Sequence, residues 1–563
     1  MSQSTPPPLH QGPTAKEKKY DRQLRLWAAS GQAALEDAHV LLINSGPGVV
    51  GVETLKNLVL PGVGHFTILD SAVVREEDLG VNFFLQEESV GAERAAETCK
   101  YLQELNPDVE GHSISEPVEE FIARPDTLTP YSLIIVVAPV VPDVLSKISA
   151  HGTATQTPVF YVHNVGFYIH FSLQLPPAFT IVDIHPEPEA LVDLRLYKPW
   201  KELLVNAKKW TWRMENMSDH QHGHIPYVFL LLHYLMEWER THDGKPPRTY
   251  KEKTEFRELI RSGIRTSNPE GGEENFDEAI GAVLKSLNEP TLSSTVKEVF
   301  NSPECEDLTE DSPNFWLIAH AVSQFHTKHQ TLPLPGAIPD MKAVSADYAF
   351  LQGLYKTKAR EEADEVLHSV RALEKSLERP NPILAAEVDA FCKQAAHIRL
   401  IRGRPIPVIS PNEGVAWGER AKAAVNALTD ESSLILLHIA FLTFDAFYAQ
   451  RAAEGKARVP GDGADVEDDE RLLTGLAQDI GTNLLTQAER ELDEEDADSV
   501  KTRLGNICAE LTRAGGAELH NIAALGGGLV AQEVIKAITR QYVPIDNTCL
   551  FDGVRSLSSV LLL

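Results

Sequence analysis

His39-Val40-Leu41-Leu42-Ile43-Asn44-Ser45-Gly46-Pro47-Gly48-Val49-Val50-Gly51, answered further on by Phe66-Thr67-Ile68-Leu69-Asp70, decides the fold. The apolar run Val40–Ile43 breaks into a turn holding Gly46, Gly48 and Gly51. Val49, Val50, Val52, Leu55, Leu58 and Val59 then recur near helical spacing, and the second apolar run ends at Asp70. The pattern reads as strand, glycine turn, helix, strand, the opening of a Rossmann-like α/β sheet. Glycines there let the backbone turn tightly, approach a phosphate and pack the helix on the sheet. Asp70, 19 residues beyond Gly51, stands where a ribose hydroxyl would be held. The same glycines also serve packing alone, and Pro47 removes one amide from the turn. Nucleotide binding and packing both stay open at this point.

Outward from this loop the chain alternates strands and helices for about 170 residues. Upstream, Lys19-Tyr20-Asp21-Arg22-Gln23-Leu24-Arg25-Leu26-Trp27 begins a helical pattern running to Ala38, with Leu24, Trp27, Ala34 and Leu35 on its apolar face. Arg22 and Arg25, three apart, share one face, which by spacing alone is surface charge. Downstream, a helix is expected near 91–105, a doubly covered strand at 131–138 and another strand at 157–163. Beyond about residue 185 the pattern turns helical, with 385–402 and 432–452 among the helices and Ala453–Asp469 expected to be disordered. The last 50 residues return to the first style. Leu519–Ile538 is a helix whose Gly526-Gly527-Gly528 permits close backbone approach, and 548–552 reads as a strand.

The 563 residues allow about two to four domains. A net charge of −29 argues against nucleic acid or an anionic membrane as the main partner. Residues 461–500 concentrate that charge, with 14 acids against Arg471 and Arg490, and read as a solvated loop and acidic helix face. The five cysteines (Cys99, Cys305, Cys392, Cys508 and Cys549) are scattered without a Cys-x-x-Cys pair, which fits a reducing compartment, the cytoplasm or nucleus. Residues 1–17 lack an apolar signal core and are expected to be disordered, and no stretch approaches the length of a membrane span.

Chemical candidates are few. His220, His222 and His224 alternate, and in an extended segment their imidazoles would point one way, but no second ligand pair stands at motif spacing. There is no Gly-x-Ser-x-Gly elbow, and no Lys-Ser/Thr follows the glycine turn as a Walker loop requires. The cysteines lie within helical or strand patterns that suit packing rather than exposed thiolates.

Several motifs together resemble the ubiquitin-like-modifier activating enzymes. They are the Lys19–Trp27 opening, Leu58-Val59-Leu60-Pro61-Gly62-Val63-Gly64, Asn82-Phe83-Phe84-Leu85 and Leu102-Gln103-Glu104-Leu105-Asn106. Thr249-Tyr250-Lys251-Glu252-Lys253, Ile338-Pro339-Asp340-Met341 and Ala531-Gln532-Glu533-Val534-Ile535-Lys536 make the likeness specific to one branch, from about residue 18 to the end. That branch is the regulatory subunits of the heterodimeric enzyme that activates the Rub-type modifier of the neddylation pathway. The resemblance implies a ThiF/MoeB-type α/β fold formed from both chain ends (18–175 and 506–563). Between them would lie a mainly helical insertion (176–505), related to the catalytic-cysteine domain but without its cysteine.

Departures from the family pattern shape the functional expectation. The stretch Gly80–Phe83, where the adenylating members carry a phosphate-binding arginine, holds none; Arg94 matches a lysine of the following helix. The magnesium-handling acid would fall near Val141, after Ala138, Pro139 and Val140. Phosphoryl chemistry depends on cations that spread the charge of ATP. The resemblance therefore implies a noncatalytic chain that binds no cofactor or metal, with a degenerate pocket at Gly46, Gly48, Gly51 and Asp70. A catalytic partner subunit would bind ATP and Mg, adenylate the C-terminal glycine of the Rub-type modifier and take it onto a cysteine as a thioester. The conjugating enzyme would meet this chain through the complex. Arg22 is expected to reach the partner's ATP in trans, as an arginine finger does. The rival readings are the regulatory subunit for the SUMO-type modifier, a self-sufficient adenylating enzyme, and a dinucleotide-dependent oxidoreductase.

Overall fold

The computed structural model describes residues 13–186, 193–266, 272–409, 414–463 and 465–563. Among the described residues ten strands are formed: β1 (His39–Ile43), β2 (His65–Leu69), β3 (Glu110–Ile114), β4 (Leu133–Val137), β5 (Val159–Val165), β6 (Tyr168–Gln174), β7 (Phe179–Val182), β8 (Ile398–Ile401), β9 (Thr548–Asp552) and β10 (Leu557–Leu561). Eight of them make one sheet in the order β10-β9-β6-β5-β4-β1-β2-β3, while β7 and β8 pair separately. Strands β1 to β5 run parallel, and β6, β9 and β10 extend the sheet antiparallel. All five residues of β4 are buried, as its unbroken Leu-Ile-Ile-Val-Val run requires between two covered faces. The strand order reverses between β1 and β4, so the loops after these two strands open a crevice at the carboxyl edge of the sheet.

The C-terminal helix His520–Thr539 packs against the glycine-loop helix Val49–Val59. A Cβ on Gly527 would stand 2.7 Å from the Glu53 backbone carbon, so that position must be glycine, whereas one on Gly526 would stand 2.9 Å from Ile169 Cδ1, a side-chain end that can shift. Gly528 faces open space, so two of the three glycines carry the close approach. By length and composition this helix could cross a membrane, which corrects the expectation that no stretch approaches such a span. Its apolarity serves the sheet layer instead, with Ile522, Ala523, Val530 and Val534 buried.

Two compact units result: Met1–Phe179 with Ile401–Leu563, and Thr180–Leu400. The insertion inferred from sequence character extended to 505, but the helices beyond 421 pack with the sheet. Helix Ile435–Ala453 is largely apolar and buried over most of its surface, and with Val466–Gln487 and Glu494–Ala514 it forms a core with Val165, Tyr168 and Leu550. Of Ala453–Asp469, expected to be disordered, residue 464 lies outside the described residues, and the rest is tied down by an ion pair of Arg458 with the buried Asp469, which also accepts from the Gly461 amide. The acidic stretch 461–500 is accordingly built largely into two helices. The unit Thr180–Leu400 is helical around Phe229, Phe256, Phe276 and Tyr355, with a buried Arg195–Glu362 pair. The helix expected over 385–402 stops at Lys393, and the alternately buried Ile398 and Leu400 continue as β8.

At the N-terminus, residues 1–12 of the segment expected to be disordered lie outside the described residues. Ala15–Lys19 forms a short helix, because Thr14 and Glu17 cap each other's backbone amides. The next helix, Asp21–Glu36, breaks at Trp27 and Ala28, where φ of Ala28 is +54°. Trp27, Gly31, Gln32 and Leu35 are its buried residues, whereas Leu24 and Ala34 are only half-buried.

Candidate functional site at the sheet crevice

The crevice at the strand-order reversal is a cleft of about 590 Å³. Its floor comes from the glycine turn: Gly46 and Gly48 have φ of +57° and +66°, a left-handed conformation that side chains resist. Gly51 serves packing, since a Cβ there would stand 2.8 Å from Leu42 Cδ1 and from Asn44 Oδ1. Ser45 Oγ donates to the Pro139 carbonyl at 2.7 Å, which joins the loops after β1 and β4.

Asp70 directly follows β2 inside this cleft and is 3% exposed. Its Oδ2 accepts from Arg94 Nε at 2.7 Å and from Asn44 Nδ2 at 3.2 Å. Its Oδ1 accepts from the Ala72 amide at 2.9 Å and from Arg94 Nη2 at 3.2 Å. Arg94, equally buried, also donates to the Gly46 carbonyl at 2.8 Å and reaches Asp78. Burial works against the Arg94 charge, but Asp70 first and Asp78 after it hold the guanidinium above its ordinary value. The acid that could meet a ribose and the cation that could meet a phosphate are thus bound to each other.

The head of the glycine-loop helix is taken as well. Amides at a helix N-terminus, with the positive end of the helix dipole behind them, form an anion seat. Glu518, which sequence reading passed over, is buried there, and its Oε2 accepts from the Val50 amide at 2.7 Å and from Asn164 Nδ2 at 3.2 Å. Burial pushes this carboxyl up to about 7, against the pull of the Val50, Asn164, Gly48 and Val49 donors. The chain thus seats its own carboxyl group on this helix N-terminus.

Around the cleft stand five carboxyl groups (Asp70, Glu77, Asp78, Asp462 and Glu518) and three arginines, Arg75, Arg94 and Arg458. Each arginine is ion-paired: Arg75 with Glu77, Arg94 with Asp70, Arg458 with Asp469. Arg75 was not singled out in the sequence; it lies five residues after Asp70, and of Gly80–Phe83 only Val81 lines the cleft. From the loop after β4 the cleft receives Ala138 and Pro139, with no acid beside them.

Arg22 is exposed, does not line this cleft and makes no ion pair among the described residues, whereas Arg25 pairs with Asp21. The surrounding motifs support one another. Lys19 Nζ donates to Asn106 Oδ1 at 2.6 Å, Asn106 Nδ2 donates to the Tyr20 hydroxyl, and Gln32 links Trp27 to the Pro61 carbonyl. The motif before β1 is thereby held by those after the glycine-loop helix and before β3, and Arg22 projects from this anchored platform.

The remaining candidates part company. His222 is buried and bound to Glu273 at 2.7 Å, while His220 and His224 stack on each other, because Asp219–His222 is a helical turn and not an extended segment. All five cysteines are buried, and burial first of all pushes their thiols up, to about 11 for Cys99 and Cys549 and about 12 for Cys305, Cys392 and Cys508. These are packing cysteines.

Residues 20–171 match the ThiF family. Over nearly the whole chain there is similarity to the NEDD8-activating enzyme E1 regulatory subunit of Xenopus laevis, 35% identical and covering 97% of this chain and 98% of that protein. The Danio rerio protein of the same name is 36% identical with the same coverage. The Arabidopsis thaliana NEDD8-activating enzyme E1 regulatory subunit AXR1 is 32% identical over 98% of both chains.

Proposed function

The chain belongs to the family of NEDD8-activating enzyme E1 regulatory subunits, and from that premise we propose that it is the half of the activating enzyme that performs no chemistry of its own. A catalytic partner subunit binds ATP and Mg, adenylates the C-terminal glycine of the modifier and passes it to a cysteine as a thioester. The family assignment sets aside the SUMO-type and oxidoreductase readings. The observation that carries the division of labour is Glu518 seated on the amides of the glycine-loop helix, where a nucleotide phosphate would need to sit. The Arg94–Asp70 pair supports it, because opening the pocket to ATP would strand buried charges. The five high-pKa cysteines support placing the thioester on the partner.

Arg22, exposed on its braced platform, is the residue we assign to the partner's ATP, where a guanidinium would stabilise charge on the phosphates. The conjugating enzyme meets the chain through the complex. The test is ATP–pyrophosphate exchange with the modifier present. The chain alone is expected to be silent and the reconstituted pair active; exchange by the chain alone would make it a self-sufficient adenylating enzyme and overturn the proposal.

A further inference from the structure

At the edge of the sheet opposite the crevice, three adjacent parallel strands begin with an unusual set of side chains. The register pairs His39 of β1 with His65 of β2, and His65 with Glu110 of β3. His112 follows Glu110 by two residues, and strand alternation returns it to the same face, opposite Thr67. His39, His65, Thr67, Glu110 and His112 therefore share one face at one end of the sheet.

Within this group one carboxylate stands between two imidazoles. Glu110 Oε2 lies 3.5 Å from His65 Nδ1, and Oε1 lies 3.8 Å from His112 Nε2. One ligand atom from each of His65, Glu110 and His112 falls within 4.8 Å of the others. Ligands at about 2.0–2.2 Å around a tetrahedral cation stand roughly 3.3–3.5 Å apart, so small side-chain movements close the set. His39 is the support beneath: its Nε2 is engaged with Thr67 Oγ1 at 2.8 Å, and its ring lies 5.5 Å from that of His65 and 5.7 Å from that of His112.

We propose that His65, Glu110 and His112 form a binding site for a divalent transition cation of the zinc class. Two imidazole nitrogens and one carboxylate oxygen suit zinc, whereas calcium and magnesium prefer all-oxygen shells and Cu(I) prefers sulfur. His65 is half-buried and Glu110 and His112 are exposed, so water completes the coordination. A bound cation ties β2 to β3, the strand at the open edge of the sheet, and so strengthens the margin next to which Asn106 and Asp108 hold Lys19.

The test is zinc titration of the metal-stripped full-length chain against a chromophoric chelator, with cobalt(II) as an absorbing substitute. The wild type is expected to bind one more zinc than His112→Ala and to give visible d–d bands with cobalt. Glu110→Gln is expected to bind that zinc at least about tenfold more weakly. Equal zinc stoichiometry and affinity in all three proteins overturns the site. A second measurement needs no variant: zinc slows amide exchange over Glu110–Ile114 if the cation joins β2 and β3, and unchanged exchange there at saturating zinc also overturns it.

Discussion

Replacing Glu518 by alanine probes the closed pocket most sharply. The substitution strips the Val50 amide and the Asn164 side chain of their shared acceptor at the positive end of the glycine-loop helix. A buried donor left unmatched costs about 1–3 kcal/mol, and entry of water from the adjoining cleft keeps the sum for two near about 2–3 kcal/mol. The loss depends on pH, with a definite sign. The carboxyl is held up to about 7 in the folded chain against an ordinary 4.5, so the folded state keeps the proton longer. That contribution is full below about pH 4.5 and is lost as pH rises through 7, by about 1.4 kcal/mol per unit. The gap between wild type and Glu518→Ala, read as urea midpoints, is therefore expected to be wide at pH 5.5 and narrower at pH 7.5. The vacated seat also gains an anion site. Inorganic phosphate at a hundred times its Kd restores about 2.7 kcal/mol to the variant and leaves the wild type unchanged. A wild type stabilised by phosphate as strongly as the variant, or a variant as stable as wild type at pH 5.5, would refute the claim that this carboxyl fills a phosphate position.

Other consequences follow from the same geometry. Arg94→Met leaves Asp70 and Asp78 buried without their cation and is expected to cost about 3–5 kcal/mol in urea unfolding; a loss under 1 kcal/mol would mean the pair holds nothing closed. Arg22→Ala is expected to leave assembly with the catalytic partner intact while slowing modifier adenylation, so unchanged pyrophosphate exchange by the mutant pair removes Arg22 from the mechanism. Buried His170 and His438, bonded at 2.9 Å, are both held down, chiefly by burial and His438 to about 3, so the unfolded chain takes up protons that the folded chain refuses. Their contribution is intact above about pH 6.5 and drains away as pH falls toward 3, and His438→Gln should flatten the acid side of the stability curve; an unchanged slope counts against it. A thiol reagent is expected to modify none of the five cysteines in the native chain and all five in urea, and fast native labelling would contradict their packing role.

Much of the fold is legible because periodicity is local. The β1–turn–helix–β2 unit, the doubly buried β4 and the glycine-bearing C-terminal helix each announce themselves within about 30 residues. The site is less legible. Asp70 and Arg94 could be picked out singly, yet their pairing with each other, which turns two ligand groups into a lock, depends on the angle at which the helix Arg94–Glu104 returns to the sheet. Glu518 lies 468 residues from the amide it caps, and no local pattern marks the residue two before a helix as the occupant of another helix's N-terminus. Ala453–Asp469 reads as disordered by composition, because an acid-rich, glycine-bearing loop gives no sign that Arg458 will be drawn onto a buried Asp469. The largely apolar Ile435–Ala453 looks like any insertion helix until the sheet face it covers is known.

The central claim is that the nucleotide is held by the partner and not by this chain, and equilibrium dialysis with radiolabelled ATP and Mg measures it directly. The account predicts no saturable binding by the purified chain and one ATP per heterodimer. Stoichiometric ATP on the isolated chain would contradict it.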